Sequence, residues 1–236
     1  MFGRRNPTQA TVQSQRGDEY IEPSGEVLGS GFGGATGAGA FGPYDADAPP
    51  DDRLARLDLG SLRMPVPEGA QLQIEVDSSG PVRAVHLTTE LGQITLNAFA
   101  APRSGGLWRE VVPELVTKLR ADGAHVGQAA GEWGEEVEAV TEHGVLRFLA
   151  VDGPRWMLRG VAAGPADGAE ARTEMLRDVV RETVVVRGGE PLPVRSPLPL
   201  QLPDALAEQL RQATTQLVNA ATEGNDAQSE GAALGA

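Results

Sequence analysis

The sequence contains no cysteine, a single lysine (Lys118), few aromatic residues and no long apolar run. Without cysteine there can be no disulfide framework, thiolate metal site, cysteine nucleophile or thiol redox chemistry. No window approaches the ~18 continuous apolar residues of a transmembrane helix. The opening residues, Met1-Phe2-Gly3-Arg4-Arg5, lead into polar sequence and not into the apolar core of a secretory signal. A cytoplasmic protein is expected. The formal charge is -13 and no basic block interrupts it, so the chain lacks the electrostatic footprint of a nucleic-acid or anionic-membrane binder. His86, His125 and His143 match no metal-ligand spacing. No metal, cofactor or catalytic residue is expected.

What is present divides the chain. Residues 1–52 are rich in Gly, Ser, Asp and Pro without apolar periodicity, the composition of a disordered tail. Gly29-Gly31-Gly34 and Gly37-Gly39-Gly42 fit the dinucleotide pattern GxGxxG, but neither follows a strand or opens a helix, so the pattern is a decoy. The tail holds Phe2, Tyr20, Phe32, Phe41 and Tyr44, aromatics that suit docking to a partner, docking back onto the chain's own domain, or simple solvation. Asp45, Asp47, Asp51 and Asp52 lack the glycine and distal Glu of a calcium loop and read as an acidic linker.

From residue 53 to 190 the pattern is that of one α+β domain. Leu72, Ile74 and Val76 alternate with Gln71, Gln73 and Glu75, as in a half-buried strand. Strands over 82–89 and from Gly92 to Phe99 complete a first meander. Trp108, Val111, Val112, Leu115 and Leu119 share one helical face, and Pro113 inside that run predicts a kink. A short strand at 125–130 and a turn carrying Trp133 precede a second meander, and a second helix spans 167–182. The expected fold is thus a single antiparallel sheet of about six to seven strands, in two meanders, packed with two main helices. A proline-rich arm (191–203), an amphipathic helix (204–221, with Asp204 as N-cap) and a disordered tail (222–236) follow.

The register of the second meander is the sharpest expectation. A turn at His143-Gly144 puts Ala139 opposite Phe148, and a three-residue turn at Asp152-Gly153-Pro154 puts Phe148 opposite Leu158. One face then collects Val137, Ala139, Leu146, Phe148, Ala150, Trp156 and Leu158. The other collects Arg147, Arg155 and Arg159 with Glu136, Glu138 and Glu142, and sets Arg147 directly across from Arg159. Like charges so placed need compensation, from Glu138 and Glu142 in a surface ladder, from a partner, or from a bound anion. A second anion candidate is the helix start at Arg103, Ser104 and Gly105, with Trp108 beside it.

Four stretches in order, LDLGSLRMPVPEG, AFAAPRSGGLW, VDGPRWMLRG and RETVVVRGGEPLPVRSPLPLQLP, resemble the bacterial family known as domain of unknown function 3710, found in high-GC Gram-positive bacteria. The resemblance spans residues 54–203 and implies no reaction, cofactor or catalytic residue. The layout is more loosely similar to Mog1/PsbP-like folds. The leading functional expectation is a non-catalytic protein-binding or adaptor module. The alternatives are a small-anion sensor or enzyme using the Arg103 region or the Arg147/Arg159 face and, third, a nucleic-acid-associated protein.

Overall fold

The computed structural model describes residues 9–12, 42–76, 82–208 and 212. The first meander is β5 (Gln71–Val76), β6 (Val82–Thr89) and β7 (Gly92–Ala100). The second is β8 (His125–Gly131), β9 (Gly134–Thr141), β10 (Gly144–Gly153) and β11 (Trp156–Gly164). With β1 (Gln9–Val12) on its margin they form one antiparallel sheet in the order β1-β5-β6-β7-β11-β10-β9-β8. Each meander's last strand meets the other's, β7 against β11, and that seam makes two hairpin systems one sheet. A smaller sheet, in the order β2-β12-β4-β3, joins β2 (Tyr44–Asp45), β3 (Leu57–Asp58), β4 (Leu62–Met64) and β12 (Val184–Val185).

Two helices cover opposite faces of the large sheet. Helix α1 (Leu107–Ala121) lies against β8, β9 and β10, and α2 (Ala169–Arg181) lies against β11. Under α1, Leu107, Trp108, Val112 and Val116 pack on Val137, Ala139, Phe148, Ala150 and Met157. Under α2, Leu176, Val179 and Val180 share a larger core with Leu96, Leu149, Val151, Trp156 and Leu158, closed by Leu62, Met64 and Val185 of the small sheet and by Leu59 between β3 and β4. Burying these side chains supplies the main drive to fold, at about 25 cal/mol per Å² of apolar surface.

The second meander departs from its expected register in an instructive way. The β9–β10 turn is Glu142-His143, so Ala139 faces Leu146 and Arg147 faces Glu138. That is a shift of two, which leaves every side chain on its expected face. The next turn differs by an odd number. Asp152 and Gly153 stay in β10, the turn is Pro154-Arg155, and Gly153 faces Trp156 while Phe148 faces Val161. Trp156 and Leu158 therefore join the α2 side, and Met157 and Arg159 the α1 side. Pro154 supplies the first central residue of the turn and Arg155 adopts φ 62 at the second. A side chain at Gly153 would collide with the Trp156 indole, 2.2 Å from where its Cβ would sit. Apolar alternation could not decide this register, because helices bury both faces of β10 and β11.

Trp156 also anchors residues ahead of the expected domain start. Its Nε1 donates to Asp45 Oδ2 at 2.6 Å, and Trp133 Nε1 donates to the Gly42 carbonyl at 3.1 Å. Tyr44 and Asp45 pair with Val184 and Val185. The expected tail through residue 52 is thus corrected: residues 42–52 belong to the folded body. Residues 13–41, with nearly all of the glycine decoys, and 213–236 lie outside the described residues. Of the expected terminal helix, Asp204–Glu208 and residue 212 are described and helical.

The proline-rich arm runs alongside β7. The β6–β7 pairing ends at His86–Thr95, and the arm takes up the freed groups. Arg195 N donates to Ala100 O at 2.8 Å, Ala100 N to Ser196 O at 2.8 Å and Leu198 N to Ala98 O at 2.8 Å. Pro197 and Pro199, flanking Leu198, have no N–H to place, so proline is tolerated in this strand-like run.

Helix α1 runs continuously through Pro113, as one helix and not as a first turn followed by a separate helix. Pro113 lies on the exposed side and leaves the Arg109 carbonyl without its helical donor. Pro113→Ala is expected to restore that bond and stabilise the domain by about 1–3 kcal/mol, read as a higher urea midpoint; an unchanged or lower midpoint would contradict this account.

Candidate functional site

The loop Pro102-Arg103-Ser104-Gly105-Gly106 opens α1 through two left-handed glycines, Gly105 at φ 67 and Gly106 at φ 84. Gly106 offers no capping side chain. Asp152 from β10 supplies one, with both carboxylate oxygens 3.4 Å from Trp108 N. The seat that an external anion would take at this helix start is thus faced by the chain's own carboxylate. Burial raises the Asp152 pKa, an effect partly countered by the amides of Trp108, Leu107 and Gly106 and by Arg109. Trp108 is buried and structural, its Nε1 donating to Glu135 O at 2.7 Å. Ser104 is exposed in the loop.

The expected arginine face does not exist as one surface. Arg147 faces Ala162 and Glu138, whereas Arg159 faces Ala150 and Asn97 on the opposite side of the sheet. The Arg147–Arg159 juxtaposition is overturned by the odd register at Pro154-Arg155. Arg147 instead belongs to a network beneath α2. Its Nη2 donates to Glu138 at 2.6 Å, and Glu136, only 3% exposed, lies 3.8 Å from its Nη1. Arg177 of α2 clamps the same Glu136 with Nε at 3.1 Å and Nη2 at 2.9 Å, which drives its own pKa further up. Arg181, one turn on, binds Glu132 at 2.7 Å and lies over the Trp133 ring. Arg159 has no carboxylate partner among the described residues. Its guanidinium stacks 4.9 Å from the Phe99 ring centre, its Nε is buried without an acceptor, and burial lowers its pKa.

Two of the expected site residues do meet. Arg103 and Arg155, with Arg187 from the segment after β12, line an open depression of about 620 Å³ walled by Ala101, Gly189, Glu190 and Pro191-Leu192-Pro193. Arg187 was not anticipated, although the stretch RETVVVRGGEP puts an arginine directly between a short β-branched strand and a Gly-Gly turn. Its Nε donates to the Arg155 carbonyl at 3.1 Å and its Nη1 to the Glu190 carbonyl at 3.0 Å. A second open depression, about 570 Å³, lies at the far end of α1 between Arg120 and Ala124 and the strand residues His125, Val126, Gly127, Glu138 and Val140. Among the described residues no group of His, Asp and Glu is arranged to hold a metal. None of their helices is long and apolar enough to cross a membrane.

Fold and site together define a class: an α+β domain built on one antiparallel sheet between two helices, with an arginine-lined depression at one end. The family model described as Protein of unknown function (DUF3710) matches residues 42–209. The chain belongs to that family, and the match begins at the residue whose carbonyl Trp133 holds. No curated protein matches the chain, and no solved structure does.

Glu136→Ala is expected to cost about 3 kcal/mol, because it leaves Arg147 and Arg177 largely buried without their shared carboxylate. Glu174→Ala, at an exposed partner of Arg177 and Arg181, should change stability by less than about 1 kcal/mol. Urea denaturation separates the two, and equal effects would contradict the buried network. For Asp152 the folded pKa lies above the unfolded value of about 3.9. Its stabilising contribution is therefore largest below that value and is lost as pH rises through the folded pKa. Asp152→Asn removes this component, so the variant should gain stability relative to the parent as pH rises from acid towards neutral. A stability difference that is flat with pH would refute the assignment.

Proposed function

We propose that this domain is a non-catalytic protein-binding module of adaptor type, which receives an extended segment of a protein partner along the outer edge of β8. The observation that carries this reading is the character of that edge. Among the described residues strand β8 ends the large sheet, and none of them forms a strand against its outer main-chain groups. Its residues, HVGQAAG, include no Pro, Lys, Arg, Asp or Glu, and most are exposed. Sheet proteins ordinarily protect such edges with lysine, proline or bulges, because an open edge accepts another strand. A partner segment joining here would gain main-chain hydrogen bonds, and the small side chains of Gly127, Ala129 and Ala130 leave room beside the backbone. The depression lined by Arg120, His125, Glu138 and Val140 adjoins this edge and would receive a side chain of the added segment. In this reading the protein is cytoplasmic and its terminal stretches are accessory to the globular body.

The test uses the full-length protein in its own cells, with a photo-cross-linking residue at Ala129 or, as control, at Thr117 on the exposed side of α1. Position 129 should yield discrete protein adducts that position 117 does not. Gly127→Lys, at a site with no atom within 4 Å of an added Cβ, should abolish them without unfolding the domain. Adducts that persist in Gly127→Lys, or that are the same from both positions, would overturn the reading.

A further inference from the structure

At the other end of the sheet from His125, Arg103, Arg155 and Arg187 converge on one depression from three separate segments: the β7–α1 loop, the β10–β11 turn and the chain after β12. Most partly buried arginines of the large sheet's α2 side are neutralised by carboxylates, as Arg147, Arg177 and Arg181 show. These three have no carboxylate partner among the described residues, and Glu190 is the only acid in the wall of the depression. Cations gathered without counter-charge raise the electrostatic energy of the fold unless an anion joins them. In a chain of formal charge -13, a local cluster of this sign runs against the background.

The arrangement is also held in place by main-chain contacts. The Arg155 carbonyl accepts from Ala101 N at 2.9 Å and from Arg187 Nε at 3.1 Å. Arg187 Nη1 is held by the Glu190 carbonyl at 3.0 Å. Arg155 itself sits at φ 62, with its backbone placed by the turn. The Arg187 fork is thus oriented by neutral carbonyls that leave its charge uncompensated. Ala101, Pro191, Leu192 and Pro193 supply an apolar wall beside the guanidinium groups. Guanidinium forks match the oxygens of phosphate in paired hydrogen bonds, and several forks around one site suit a multiply charged oxyanion.

We infer that the Arg103–Arg155–Arg187 depression is an anion-binding site for a phosphate-type group carrying two or more negative charges. The depression is open, so the group's remaining atoms would extend into solvent. This site is separate from the β8 edge and does not depend on it.

The test titrates the full-length protein with inorganic pyrophosphate, with sodium chloride of matched ionic strength as control, and follows the arginine Nε–Hε resonances by NMR. Pyrophosphate should shift the Arg103, Arg155 and Arg187 signals saturably, and chloride should not. Arg103→Ala, at an exposed side chain with no hydrogen bond to another described residue, should weaken binding about tenfold. Arg195→Ala, which removes a neighbouring arginine already paired with Glu114, should leave it unchanged, as should Gly127→Lys on the β8 edge. Shifts that do not saturate, that chloride reproduces, or that Arg103→Ala and Arg195→Ala weaken equally would overturn the site. Failure of pyrophosphate to bind leaves the β8 cross-linking result standing, so the two proposals fail separately.

Discussion

The pairing of β10 with β11 is the constraint on which the rest of the molecule depends. Because β11 is also the strand that meets β7, its offset against β10 passes directly to the first meander. With Gly153 opposite Trp156, the side chains of Trp156, Leu158 and Ala162 turn towards α2 and stand beside Ile94, Leu96 and Ala98 of β7. A slip of one residue would send this whole row to the α1 side. Three contacts hold the offset: the Pro154-Arg155 turn, the close approach of Gly153 to the indole, and the bond from that indole to Asp45. The last of these extends the constraint to the small sheet, since Asp45 belongs to the strand that lies along β12.

Electrostatics then divides the molecule into two regions. On the α2 side, most arginines are matched by acids, with Arg172, 2% exposed, held instead by the Leu91 and Pro165 carbonyls. Glu136 is clasped between a strand arginine and a helix arginine, and Glu132, Glu174 and Asp178 gather around Arg181. A buried pair of this kind offsets its own desolvation more than it adds stability. Its effect is to specify where α2 sits on the sheet. At the turn end, Asp152 is committed to the start of α1, and among the described residues Arg103, Arg155 and Arg187 meet no carboxylate partner. An acidic protein has used its local carboxylates elsewhere and left one cluster of the opposite sign.

Much of the fold was legible in the sequence. Alternation of Leu72, Ile74 and Val76 with polar residues marks β5 because only one of its faces is apolar. The apolar face of α1, the extent of α2 and the four family stretches are read with equal directness. Alternation failed at β10 and β11 for a physical reason: Phe148 and Ala150 are buried under α1 while Leu149 and Val151 are buried under α2, so an apolar run carries no face label. The same error created the supposed Arg147–Arg159 pair. The Tyr44–Asp45 strand was missed because it is two residues long and set in Gly- and Asp-rich sequence. Its order comes from two indoles more than eighty residues away.

Sequence alone determined the class of fold, the antiparallel meanders, the two helices, the family and the lack of any cysteine chemistry, because these follow from local periodicity, composition and short motifs. Tertiary structure alone decided which arginines share a surface. It brought Arg103, Arg155 and Arg187 together through a turn, a loop and the chain beyond β12, and it placed Asp152 at the helix start. Those outcomes rest on a register that both buried faces accept equally in pattern. Only the geometry of Pro154-Arg155 and the packing of Gly153 on Trp156 distinguish between the alternatives.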